Sequence, residues 1–482
     1  MAGNMFAAVF NLIRIKEEDH AGRRTNRWAN ADILPVLPEN RNYTVKTYMG
    51  FWVSVGIAAT YWTMGSSAIA AGLSAGQAIG AMILGSVLSA LVAWGCGEFG
   101  ITYGLGFPMM SRAAFGMYGS YFVVVLKCFG NIIYSGIQCY WGGIAIRVML
   151  SAIFPTYHRM RNTLPEGANI TTNDLIGTMI YWVVFVGMLC VPPHKLQGFF
   201  LASFIGVSLT IVGMFIWAMA ANRGAGDLVA PTLKLSTGDT AFQFIQAICT
   251  MATTYCGVSI RHADWTRYTK TPSAARWGIW VGCPLSVSVA AMFGIFITSA
   301  TRSIYSQIIW QPMTLLAHIQ EIDYSATTRA GTFFAGLGWF MSQLAINVAS
   351  NAIATGMDFA SLAPEIINAR RGSLVLAVIA IALCPWNLVN SPSTFITVVG
   401  SLGIFISPLM GVFISDYLIV RRQMYKVPDL YVGNKSSIYW YQYGFHWRAF
   451  LTWISLIWMS LREYYTIIPT DSLVLTLLAN MI

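Results

Sequence analysis

The chain is poor in charge. Asp, Glu, Lys and Arg make up 10% of its 482 residues, against about 25% in soluble globular domains, which excludes a water-facing surface of ordinary extent. Cysteine is scarce and unpatterned: eight residues from Cys96 to Cys384, mostly inside apolar runs and with no CxxC pair. They read as small buried hydrophobes, with neither a disulfide framework nor a metal site. No HExxH, Gly-rich phosphate loop or serine nucleophile elbow occurs. His318-Ile319-Gln320-Glu321 is the nearest metal-like spacing, and alone it reads as loop chemistry. An intramembrane enzyme needs a catalytic dyad or metal cluster within its spans, and none is visible. No catalytic residue, metal or cofactor is expected.

Hydrocarbon is abundant instead: 56% of the residues are hydrophobic and 14% aromatic. About 20 apolar residues cross ~30 Å of bilayer as helix, and runs of that length recur throughout. The pattern predicts an all-α polytopic membrane protein with spans near 50–73, 76–98, 118–152, 175–192, 198–220, 241–260, 275–300, 331–353, 373–390, 393–419 and 449–460. A twelfth candidate, 471–482, is too short to cross unaided. The third is long enough to tilt or to project beyond the bilayer.

Residues 1–49 lack the apolar core of a signal peptide and mix Arg14, Lys16, Arg23, Arg24 and Arg27 with Glu17, Glu18 and Asp19. They are expected to form a cytoplasmic tail. That orientation also places Arg267, Lys270 and Arg276, Arg370 and Arg371, and Arg421, Arg422 and Lys426 inside, as the positive-inside rule favours. The net charge of +10 is scattered over short loops on one leaflet, so the partner it implies is the lipid bilayer and not nucleic acid. Asn169-Ile170-Thr171 falls in a loop on the outer side and forms a glycosylation sequon.

Gln138 sits in an apolar run, Ile132-Ile133-Tyr134-Ser135-Gly136-Ile137-Gln138-Cys139-Tyr140-Trp141. Its carboxamide must face protein, water or a ligand, because lipid offers no hydrogen bonds. Two readings stand: a ligand contact, or a bond between packed helices. Gly72, Gly76, Gly80 and Gly85 form a small-residue stripe whose expected use is close helix packing. Weak helix formers around Gly56 and around Gly257 interrupt spans one and six, and corresponding breaks in two halves point to an inverted-repeat transporter. If spans one to five (50–220) repeat as six to ten (241–419), span three corresponds to span eight, where Asn347 and Asn351 share a helix face. Residues 420–448 then form a cytoplasmic loop and 449–482 the C-terminal helices.

With these features in place, the chain resembles the nucleobase:cation symporter-1 family, and within it the fungal uracil, allantoin, uridine and thiamine permease branch. The resemblance runs from about residue 27 to 450. It is carried by Asn30-Ala31-Asp32-Ile33-Leu34-Pro35, by Met64 to Leu73, Gly106 to Gly116, Asp264 to Tyr268 and Asn351 to Asp358, and by Pro385-Trp386-Asn387 followed by Ser391 to Phe395. It implies a five-plus-five inverted repeat with broken helices one and six, two extra C-terminal helices, and a mid-membrane site between spans one, three, six and eight. Matching motif positions give Tyr134 and Tyr255 as aromatics sandwiching a planar heterocycle, with Gln138 and Asn351 as the amides and Asn347 beside them. A carboxamide offers a donor and an acceptor side by side, which suits the edge of a pyrimidine or hydantoin-like ring.

The chain departs from the family in several places. Ala345 and Ile346 stand where the sodium-dependent bacterial relative has hydroxyl ligands, and neither can coordinate a hard cation; proton coupling is expected. Glu98, Asp264 and Asp358 are the coupling or gating candidates, and pairing with nearby bases, such as Asp264 with Arg267, is the alternative. Arg261 replaces a frequent Asn and Ala58 a frequent polar residue, changes that suit a larger or charged substrate. Lys127 is expected on the cytoplasmic half of span three, snorkelling or paired. The C-terminus, from Arg462-Glu463-Tyr464-Tyr465 to Ile482, departs most. The expected function is proton-driven import of a nucleobase-like planar nitrogen heterocycle across the plasma membrane. A substrate-binding nutrient sensor and an uncoupled facilitator are the alternatives.

Overall fold

A computed structural model describes residues 26–192, 195–226 and 235–467. The described chain is helical, and its only β pairing is isolated bridges such as Tyr43 with Thr269. The helices are α1 (Val45–Gly56), α2 (Ala59–Ala70), α3 (Ala75–Tyr103), α4 (Phe107–Phe115), α5 (Gly119–Ile153), α6 (Thr172–Leu189), α7 (Gln197–Asn222) and α8 (Thr237–Thr254). They continue as α9 (Pro272–Tyr305), α10 (Pro312–Ile322), α11 (Ala326–Leu362), α12 (Ala369–Ala382), α13 (Pro392–Val420) and α14 (Trp447–Ile467). Seven of the described helices, α3, α5, α6, α7, α9, α11 and α13, are long and apolar enough to cross a membrane. The other expected spans are shorter, interrupted or more polar.

Local sequence sets the helix ends. Ser74 and Gln77 cap α3 reciprocally, side chain to backbone at 3.3 and 3.0 Å, satisfying donors the first turn leaves orphaned. Gly104, at φ +68°, closes the helix in the left-handed region that glycine enters without strain. Between α1 and α2 the chain leaves helical geometry at Ile57 and Ala58, the latter extended at φ −132°, ψ 154°. After α8, Tyr255 leads into two single turns, Cys256–Ser259 and Ala263–Thr266.

α5 is the central post, packed on α6 and α11; α2 lies on α9, and α3 on α8 and α9. Burial grades outward from it: 72% of the apolar window of α5 is inside the protein, against 22% for α7. Leu201, Ile205, Leu209, Val212 and Ile216 of α7 are exposed at helical spacing. An outward apolar stripe is the reverse of a soluble amphipathic helix and marks a lipid-facing surface.

Within the glycine stripe, Gly85 marks a close helix approach. A Cβ on Gly85 would meet Met251 Cβ at 2.6 Å, whereas one on Gly76 meets nothing within 4 Å. Residues 26–44, within the expected polar tail, strap onto the loops: Arg112 donates to Trp28 O (2.8 Å), Arg267 to Asp32 O (3.0 Å) and Tyr431 to Ile33 O (2.8 Å). α14 runs to Ile467, beyond the expected end at 460. The expected segment 471–482 and residues 1–25 lie outside the described residues.

Candidate functional site

Three neighbouring residues on one face of α5, Asn131, Tyr134 and Gln138, stand at i, i+3 and i+7, the spacing that keeps side chains on one side of a helix. They form one wall of a cavity whose empty space, counted out through its open mouth, is about 430 Å³. Val55, Ala58, Thr60 and Tyr61 close it from the α1–α2 interruption, Thr254, Gly257, Val258 and Arg261 from the end of α8 and the turns after it, and Ile346, Ser350 and Asn351 from α11. Irregular backbone at membrane depth is tolerated where it lines such a cavity.

Gln138 is buried and divides its amide: Nε2 donates to Thr60 Oγ1 at 3.1 Å, while Oε1 has no partner among the described residues. The bond to Thr60 is a link between helices, so that reading of Gln138 accounts for half of the group. Asn351 Nδ2 donates to Asn347 Oδ1 at 3.2 Å. Asn347 turns away from the cavity, donating to Ser135 O (3.2 Å) and Cys139 Sγ (3.4 Å). Both asparagines lie in a π-helical stretch, Asn347–Ile353, the widened turn that frequently accompanies functional sites.

Tyr134, Gln138 and Asn351 therefore meet on one cavity, and Tyr255 does not join them. It is fully buried, stacked between Tyr61 (centroids 4.9 Å apart, 25° between planes) and Trp52 (5.8 Å, 29°). The ring this stack presents to the cavity is Tyr61. Sequence reasoning missed Tyr61, Thr60, Asn131 and Ser350. Asn131 was within reach, three residues before Tyr134 on the same face.

Arg261 is 1% exposed and lines the cavity. Its Nη2 donates to Ser350 Oγ at 2.9 Å. The three acids lie apart from the lining. Glu98 accepts two bonds from Arg276, at 2.7 and 2.9 Å. Asp358 is fully buried and pairs with Lys127, itself fully buried. Asp264 is not paired with Arg267; its Oδ1 accepts from Phe107 N at 2.7 Å, placing a negative charge at the N-terminus of α4, where the helix dipole favours it. His318 and Glu321, on α10, pair with each other at 3.7 Å.

Comparison with known proteins agrees with this architecture. A transporter of Aspergillus oryzae, aclS, is 32% identical, over 91% of this chain and 80% of its own. The thiamine transporter of Saccharomyces cerevisiae is 28% identical, over 94% and 75%. Among solved structures, Mhp1 in its inward-facing conformation superposes with a TM-score of 0.70 at 18% identity, covering 95% of this chain and 97% of that one. A closed form of Mhp1 with bromovinylhydantoin bound gives 0.68, at 18% identity, over 92% and 97%; at this identity the likeness establishes the fold. Residues 35–467 match the family described as permease for cytosine/purines, uracil, thiamine and allantoin, and the chain belongs to that family of membrane transporters, the nucleobase:cation symporter-1 permeases.

Proposed function

We propose that the chain is a secondary active transporter that imports a nucleobase-like planar nitrogen heterocycle with a proton, by alternating access about the cavity between α1–α2, α5, the end of α8 and α11. The observation that carries this reading is the convergence of Gln138, with its unbonded Oε1, Asn351 and two tyrosine rings, Tyr134 and Tyr61, on one buried cavity. Rings supply flat stacking faces, and a buried amide left without its partner penalises molecules lacking the matching edge. The interruptions at 57–58 and 255–262 suit broken helices of a five-plus-five inverted repeat, 50–220 and 241–419, around a midplane site. The bound bromovinylhydantoin of Mhp1 and the thiamine named for the yeast relative are ring compounds. We place the protein in the plasma membrane with its N-terminus in the cytoplasm, as the basic loops favour.

Proton coupling is the reading for a chain with Ala345 and Ile346 where hydroxyl cation ligands are expected. Asp358 is the proton carrier we assign. It is fully buried, its Oδ1 lacks a partner among the described residues, and it stands beside the cavity helices, whereas Glu98 is clamped by a half-exposed arginine. The groups facing Asp358 are Lys127 and Cys128 of α5, with Arg261 and Asp264 acting through space.

The test is uptake of a tritiated ring compound in a yeast strain lacking its own permeases, competed with uracil, uridine, allantoin, hydantoin, thiamine and nicotinamide riboside. Accumulation abolished by a protonophore is expected. Gln138→Ala and Asn351→Ala should each weaken apparent affinity by about 1–3 kcal/mol, roughly fivefold to 150-fold, at unchanged surface expression. Saturable binding without accumulation identifies a sensor, equilibration without accumulation a facilitator, and unchanged affinity in both variants removes the site.

A further inference from the structure

We infer that the transported ring carries a carboxylate, and that Arg261 is the residue that selects it. This narrows the substrate class of the transporter reading above and rests on that reading. Arg261 presents five N–H donors and no acceptor. Only the bond from Nη2 to Ser350 Oγ, 2.9 Å long, is formed; Nε and Nη1 are buried without a partner among the described residues. A buried guanidinium short of acceptors is destabilising unless a charged, hydrogen-bonding partner completes it.

No carboxylate of the protein bonds Arg261 among the described residues. Asp358 and Asp264 act on it through space, each bonded elsewhere through one oxygen, to Lys127 and to the amide of Phe107, and each with its other oxygen unpartnered among the described residues. What the cavity lacks is an acceptor at the Arg261 end. A neutral ring edge that alternates N–H and C=O offers Arg261 a single carbonyl acceptor flanked by donors that a group able only to donate cannot use. A carboxylate brings acceptors alone, and guanidinium and carboxylate match in geometry and charge. Gln138, on the α5 wall of the same cavity, offers Oε1 to a ring N–H. The two groups together describe a ligand with a donor edge and an anionic substituent.

The experiment uses the full-length protein in nanodiscs and matched ring pairs differing by one carboxylate: uracil with 6-carboxyuracil, and nicotinamide with nicotinate. Affinities are measured for wild type, Arg261→Gln and Arg261→Lys. In wild type the carboxylated member of at least one pair should bind at least about tenfold tighter than its neutral partner. In Arg261→Gln that ratio should fall to about one, with Arg261→Lys between the two because it keeps the charge and loses the fork. Equal or tighter binding of both neutral rings in wild type, or a ratio unmoved by Arg261→Gln, overturns the assignment and leaves the heterocycle reading standing. Absence of binding by all four probes removes the heterocycle reading and this assignment with it. Should the substituted proteins fail to fold on size-exclusion chromatography, the wild-type ratio decides alone.

Discussion

Tyr61, Tyr255 and Trp52 form a three-ring stack whose cavity end is Tyr61, so the two tyrosines separate by role. Tyr61→Leu removes a face the ligand can lie on, and should raise the substrate Kd about tenfold, the worth of one aromatic contact, with a smaller loss of melting temperature than Tyr255→Leu because only one side of Tyr61 is stacked on the protein. Tyr255→Leu removes the middle of a buried stack, and should lower the melting temperature more than it raises Kd. Ligand titration and thermal unfolding of the two variants side by side check this, and equal Kd changes would place Tyr255 in the site after all. Gln138 was legible in the sequence because one amide in a run of hydrocarbon has few explanations. Tyr61 was not legible, because extended Ala58 re-aims the helix that follows and side-chain periodicity does not carry across such a break.

Helices also meet closely where no glycine pattern announced it. A Cβ on Gly294 of α9 would come within 2.4 Å of Trp62 O, and one on Gly65 of α2 within 2.4 Å of Ala291 O. Each glycine thus admits the other helix's backbone, as small residues do at membrane interfaces. Gly294→Ala should force the pair apart and cost about 1–3 kcal/mol, the usual penalty of overpacking, seen as a lower melting temperature in detergent. Gly76→Ala, on the legible stripe, meets nothing within 4 Å and should leave that temperature unchanged; the reverse ranking would mean the α2–α9 crossing is looser than described. Span positions were readable from apolar run length because lipid imposes that length. Crossing points depend on which faces two distant segments bring together, and single glycines such as Gly65 and Gly294 carry no local mark of it.

Lys127 lies seven residues before Tyr134 on α5, and Asp358 seven residues after Asn351 on α11, about 10 Å along each helix. That common displacement lets one ion pair join the two helices to one side of the cavity. Together with Arg261, Asp264 and Arg267 it belongs to one buried group of charges. A low-dielectric interior resists any change in their net charge. A substrate carboxylate docking on Arg261 adds one negative charge, and one proton taken with it, on Asp358, cancels that change. Cotransport of a carboxylated ring should therefore be electroneutral. In proteoliposomes with acid outside, the pH gradient alone should drive accumulation, whereas a potassium-diffusion potential set by valinomycin at equal pH should drive none. Asp358→Asn alone would strand Lys127 in the interior at about 3–5 kcal/mol, so the informative variant is Lys127→Gln/Asp358→Asn, which keeps the pair neutral and hydrogen-bonded. It should fold, retain exchange of labelled for unlabelled substrate, and lose accumulation driven by the pH gradient. Accumulation driven by voltage in the wild type would mean that net charge crosses with the substrate, and accumulation retained by the double variant would move the proton to another carboxylate, with Asp264 the remaining acid of the cluster.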